Sequence, residues 1–198
     1  MALPLFFRYL SVQMKRHIPL LLTTLRLLLG PVALVCALTN VPRWVYLPIL
    51  IIATLSDIYD GVLARRFGVA TPTLRRYDSV TDVIYYLFIL AVAWRLCKPV
   101  IAQNWLAIML ILLSEAASIL VSFIRFGKYP ATHSYLAKFY GLCLLSTLIA
   151  LLVFNGGNWV IVTLMIVALI TNAEIIAVHF IMDTAPVDVH SIFTLPKR

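Results

Sequence analysis

Of the eight acidic residues in this 198-residue chain, four, Asp57, Asp60, Asp78 and Asp82, gather in one short stretch. At about 100° per residue, Asp57, Asp60, Gly61, Ala64 and Arg65 fall within an arc of about 140° on one helix, and Asp78 and Asp82 share a face of another. Two carboxylate pairs can then face each other. Hard carboxylate oxygens of this kind suit Mg²⁺ or Mn²⁺, and Mg²⁺ commonly binds through a few carboxylates together with substrate phosphates. Gly61 lets a substrate approach the backbone closely, and Arg65 offers a fork matched to phosphate oxygens. Metal, glycine and arginine together point to a pyrophosphate substrate. A competing reading pairs these aspartates with Arg65, Arg66, Arg75 and Arg76 as an interfacial salt-bridge network. Such a network does not require facing carboxylate pairs at helical spacing beside a glycine.

The elements that must position these residues are membrane helices. The chain is 63% hydrophobic and only 12% charged, with a mean hydropathy of +1.00, far outside the range of a soluble globular domain. Apolar runs of the ~20 residues that a spanning helix needs recur along it, and they predict an all-α integral membrane protein. The six transmembrane helices are expected at about 18–38, 45–66, 79–97, 101–123, 136–154 and 158–181. Pro19 suits a helix first turn and Gly30-Pro31 a kink. Asn40 to Arg43, Lys98-Pro99 and Asn155-Gly156-Gly157-Asn158 read as turns between spans. Residues 1–17 set Leu3, Phe6, Phe7, Leu10 and Met14 against Arg8, Lys15 and Arg16, the pattern of an interfacial amphipathic helix. The expected organisation is therefore that helix, a six-helix catalytic domain over 18–182, and a short tail over 183–198.

Charge placement orients the bundle. With six spans both termini lie on one side, which carries Arg8, Lys15, Arg16, Arg65, Arg66, Arg75, Arg76, Arg125, Lys128, Lys138, Lys197 and Arg198. The other side keeps Arg43, Arg95 and Lys98. The positive-inside rule puts the first set, and the aspartates with it, on the cytoplasmic side, and the membrane expected is a bacterial inner or plasma membrane. The formal net charge of +8 is then explained by topology and contact with anionic membrane lipids, and no nucleic-acid partner is expected. An unpaired carboxylate near the centre of a span costs roughly 2.5 to 3.5 kcal/mol to insert, so the aspartates need water or cations.

Other polar residues carry weaker signals. Arg26 lies about two turns into the first span and either reaches the aspartates or snorkels to the interface. Arg125, Lys128, His133 and Lys138 flank the fourth-to-fifth loop and are candidates for binding the phosphate of an acceptor, against the alternative of positive-inside charge alone. Glu115 and Glu174 lie within spans, where a protonated, hydrogen-bonded or dimer-contact role is expected. Tyr85 and Tyr86 follow Asp82 on its helix and either line the site or meet the headgroups as an aromatic belt, the second being the expected role. Cys36, Cys97 and Cys143 form neither a disulfide framework nor a zinc pattern, and the four histidines have no metal-ligand spacing.

The aspartate stretch resembles the signature of the CDP-alcohol phosphotransferases, DxxDGxxAR, eight residues, G, three residues, D, three residues, D. Here it runs Asp57, Asp60, Gly61, Ala64, Arg65, then Leu74 in place of the glycine, then Asp78 and Asp82. Ile18-Pro19, Leu22-Thr23, Arg26 and Gly30-Pro31 are similar to the stretch that often opens the family's core. The resemblance implies that Asp57, Asp60 and Asp78 bind one or two metals and that Gly61 and Arg65, with Ala64 between them, contact the nucleotide diphosphate. It implies that Asp82 is a ligand or the general base. It further implies a homodimer that moves a phosphatidyl group from CDP-diacylglycerol or another CDP-alcohol donor to a small hydroxyl acceptor, releasing CMP in phospholipid synthesis. Glycerol 3-phosphate, the acceptor of the phosphatidylglycerophosphate synthases, is the first candidate, with Arg125, Lys128 and Lys138 to hold its phosphate. The rival classes are a divalent-cation transporter, which would place its carboxylates near the bilayer midplane, and an inactive lipid- or partner-binding relative, which Leu74 keeps open.

Overall fold

Small side chains at heptad spacing determine how the first three spans meet. The computed structural model describes residues 3–127 and 134–182, with side chains from His17 onward apart from that of Pro72. Helix α1 runs from Leu3 to Leu38, and its buried side is Pro19, Thr23, Arg26, Gly30, Ala33 and Ala37. Steps of three and four keep these on one face, and all but Arg26 are small enough to let a neighbouring backbone come close. Leu21, Leu28 and Val35, on the opposite face, are exposed, as lipid-facing side chains must be.

A 3-10 turn at Arg43–Val45 leads into α2, Tyr46–Arg66, whose buried stripe is Tyr46, Ile49, Leu50, Ala53, Ser56, Asp60 and Ala64. This stripe packs along α1. Helix α3, Pro72–Gln103, opens on Thr71, whose Oγ1 accepts the backbone N–H of Leu74 at 3.2 Å and so caps the first turn. It buries Thr81, Tyr85, Ile89 and Val92. A Cβ at Gly30 would lie 2.9 Å from Phe88 Cδ2 and 3.2 Å from Phe88 Cβ, so the absence of a side chain there is what admits α3 beside α1.

The remaining helices are α4 (Trp105–Phe126), α5 (Tyr135–Leu152) and α6 (Asn158–Ile181). Among the described residues, six helices are long and apolar enough to cross a membrane, as the hydropathy pattern predicts. The chain divides into two compact units, Met1–Leu96 and Cys97–Arg198. In the second, α6 packs against both α4 and α5, around Ile111, Leu164 and Ala168. Polar pairs tie these helices together: Asn104 Nδ2 donates to Asn158 Oδ1 at 2.9 Å, Asn172 Nδ2 to Ser114 Oγ at 3.0 Å, and Tyr140 to Glu115 Oε1 at 2.5 Å. Glu115 thus takes the hydrogen-bonded role expected of an intramembrane carboxyl group.

Two local expectations need correction. Pro19 is an interior position, because the helix of the first span begins at Leu3. Lys98-Pro99 lies inside α3 and makes no turn between spans. Pro99 has no N–H and its ring clashes with the carbonyl four residues back, and the helix accommodates this by a break at Cys97 (φ −130°, ψ 29°). The turn comes instead at Asn104, which precedes α4. The amphipathic side chains before His17 and the tail from Asp183 lie outside the described residues.

The turn after α5 is close-packed: Gly156 N–H donates to Ala150 O at 2.7 Å, and a Cβ on Gly156 would meet that oxygen at 2.9 Å. Gly156→Ala is therefore expected to destabilise the detergent-solubilised protein by roughly 1–3 kcal/mol. Gly141→Ala, mid-helix with nothing within 4 Å of the new methyl, is expected to be neutral or stabilising by about 0.5–1 kcal/mol. Thermal unfolding of the two variants side by side checks the contrast.

Candidate active site

All four aspartates converge on one arginine. Asp57 and Asp60 come from the second half of α2 and Asp78 and Asp82 from the first half of α3, so the antiparallel pair brings them to the same end. Arg26 of α1 reaches between them with only 3% of its side chain exposed. Its Nη1 pairs with Asp57 Oδ1 and, at 2.7 Å, with Asp82 Oδ1. Its Nη2 pairs with Asp60 Oδ2 at 3.1 Å and with Asp78 Oδ1. Each terminal nitrogen therefore joins one carboxylate of α2 to one of α3. Thr23, one turn earlier on the same face, sets its Oγ1 2.9 Å from Asp60 Oδ2 and 3.0 Å from Pro19 O, its one hydroxyl proton shared between the two acceptors. Thr24 Oγ1 and Tyr77 Oη lie 3.2 Å apart beside it.

This arrangement decides the question left open for Arg26, which turns inward and does not snorkel. It also disposes of the interfacial network: among the described residues, no ion pair joins the aspartates to Arg65, Arg66, Arg75 or Arg76, and every pair they form runs to Arg26. Asp60 is buried, Asp57 is about half exposed and Asp78 and Asp82 about a third, so the cluster opens to solvent on the Asp57 side.

The carboxylates suit a divalent ion. Asp57, Asp60 and Asp78 each offer one oxygen, and the three oxygens lie within 4.8 Å of one another. Opposite ligands of an octahedral Mg²⁺ stand roughly 4 Å apart, so a small tightening suffices. Asp82 stands outside this group of three and meets it through Arg26.

The remaining candidate residues flank the cluster or belong to the second unit. Arg65 is exposed, and its Nη1 would lie 3.7 Å from a Cβ on Gly61, so the guanidinium rests over the bare glycine surface. Ala64 is buried one turn beyond Asp60 on the packing stripe. Leu74, half-buried in the first turn of α3, shares a face with Asp78 and Asp82 at steps of four residues. In the second unit Arg125 donates to Met182 O at 3.3 Å, with its guanidinium over the rings of Phe126 and Phe180 at 5.7 and 5.6 Å. Lys138 Nζ lies 5.8 Å from the Tyr135 ring centre. Lys128 and His133 lie outside the described residues.

Thr23 carries no role in the sequence reading, although Thr23, Arg26 and Gly30 at steps of three and four are the signal of one buried face. Thr23→Val removes the hydroxyl that Asp60 accepts and keeps the volume. It is expected to cost about 1–3 kcal/mol, the range for a buried acceptor losing its partner, whereas Thr39→Val, exposed and bonded to carbonyls in the last turn of α1, should stay within about 0.5 kcal/mol. Thermal unfolding of the two variants measures the difference.

Comparison with known proteins adds one finding. A family model described as CDP-alcohol phosphatidyltransferase matches residues 16–184. No curated protein and no solved structure matches the chain. The family's reaction joins a CDP-linked alcohol donor to an alcohol acceptor by phosphatidyl transfer, and it uses divalent metal ions, which agrees with three carboxylates converging at one end of a helical bundle. Because the match takes in all six spans as well as the aspartates, this chain belongs to the CDP-alcohol phosphatidyltransferase family.

Proposed function

We propose that the protein transfers a phosphatidyl group from CDP-diacylglycerol to glycerol 3-phosphate at the cytoplasmic face of a bacterial inner or plasma membrane, releasing CMP, and that it works as a homodimer. The observation that carries the reading is the convergence of Asp57, Asp60 and Asp78, with one oxygen of each within 4.8 Å of the others, in a chain of this family. These three would hold Mg²⁺ or Mn²⁺, which when bound supplies the charge that neutralises a pyrophosphate and a departing nucleotide phosphate.

The chain's own groups divide the remaining work. Gly61 leaves the α2 surface low, and Arg65 lies over it, so a diphosphate received there meets a guanidinium fork, while Ala64 keeps α2 packed behind it. Asp82, outside the group of three, takes the proton of the acceptor hydroxyl as the hydroxyl oxygen attacks the phosphorus that bears the diacylglycerol. The bond from that phosphorus to the CMP oxygen breaks, and CMP leaves. Arg125, Lys128 and Lys138 are the candidates to receive the phosphate of the acceptor; the rings of Phe126 and Phe180 seat the Arg125 guanidinium. Leu74, on the face of Asp78 and Asp82, narrows the space where the nucleotide would approach and slows the reaction without preventing it.

The test is CMP release by purified protein with CDP-diacylglycerol, Mg²⁺ or Mn²⁺ and a panel of hydroxyl acceptors. Metal-dependent release with glycerol 3-phosphate is expected, reduced about 10²–10⁴-fold in Asp82→Asn, the range for loss of a general base. Leu74→Gly should raise kcat/KM. Silence from the native protein with release from Leu74→Gly would mark an inactive relative, and release with a different acceptor would correct the substrate.

A further inference from the structure

The cation that the aspartates hold is part of the chain itself. Four carboxylates face one guanidinium, and that guanidinium contacts every one of them. Its Nε is buried without a hydrogen-bond partner, so Arg26 spends both terminal nitrogens on the carboxylates while its third nitrogen goes unpaired. A long arginine two turns into a span would ordinarily extend toward the interface. This one is fixed inward on a stripe whose other members are Pro19, Thr23, Gly30, Ala33 and Ala37.

We infer that Arg26 is a built-in counter-cation that competes with the divalent metal for Asp57, Asp60 and Asp78, so that metal entry requires the guanidinium to withdraw. The inference rests on the proposed metal site and concerns what that site must give up. The guanidinium already bonds to all three of the carboxylates whose oxygens lie within 4.8 Å of one another, so an entering metal ion meets a cation in place, and two cations held that close repel strongly in a partly desolvated site. Asp57 opens to solvent, giving the ion a way in, and the displaced fork keeps Asp82, which is not one of the three. Arg26 in this role is a positioning residue: it keeps like-charged side chains of α2 and α3 together until the metal takes over.

The experiment is Mn²⁺ titration of the full-length protein in detergent, with free Mn²⁺ read by electron paramagnetic resonance and no substrate present. Native protein, Arg26→Met and Arg26→Lys are compared. Removing the competitor is expected to tighten Mn²⁺ binding about tenfold or more in Arg26→Met. Arg26→Lys should fall between the two, because a single ammonium cannot span four carboxylates. Native binding with equal or weaker affinity in the variants would overturn the inference and leave the metal site standing, with Arg26 as its support. No Mn²⁺ binding by any of the three would remove the metal site and the inference with it. Should Arg26→Met not fold, Arg26→Lys alone decides: tighter binding than native supports competition, and equal or weaker binding refutes it.

Discussion

A carboxylate set among apolar helices must find a counter-charge, a hydrogen-bond donor or a proton, and four of them in one layer of a bundle multiply that demand. In this protein the demand falls on Arg26. Its planar fork takes one carboxylate from α2 and one from α3 on each terminal nitrogen, so it fixes the register of those two helices against α1. The packing around it follows from that requirement. A side chain of α1 reaches both neighbours only if they lie close to it, and Thr23, Gly30, Ala33 and Ala37 on α1, with Ala53, Ser56 and Ala64 on α2, bring those two backbones together. Phe88 against Gly30 and Thr23 on Asp60 brace the layer from either side.

The same layer relates structure to chemistry. Carboxylates held apart from one another by a guanidinium are already gathered where a divalent ion would need them, so little rearrangement of α2 and α3 separates the two states. Organised ligands and low reorganisation are what electrostatic catalysis requires. The departure at Leu74 falls one turn outside this layer, in the capped first turn of α3, where it alters the approach to the carboxylates and not the carboxylates themselves.

Much of this was legible in the sequence, for physical reasons that differ by residue. Asp57, Asp60, Asp78 and Asp82 stand out because charges are rare in so apolar a chain, and their spacing places them on helix faces without knowledge of the tertiary fold. The spans follow from hydropathy. Arg26 stayed undecided because a long side chain can reach either the interface or the bundle interior, and only the neighbouring helices determine which. The continuation of α3 past Pro99 was hidden because proline reads equally well as a turn and as a tolerated break in a membrane helix. The contact of Arg125 with Met182 O joins separate helices, and no local pattern announces such a pairing.

The most direct measurement is a structure of the protein in lipid nanodiscs or crystals with Mn²⁺, located by its anomalous scattering or by difference density. The expected result is Mn²⁺ bounded by Asp57, Asp60 and Asp78, with the Arg26 guanidinium withdrawn from those three. Arg26 still bridging all four aspartates at saturating Mn²⁺, with the ion absent or bound elsewhere, would contradict a metal centre at this site.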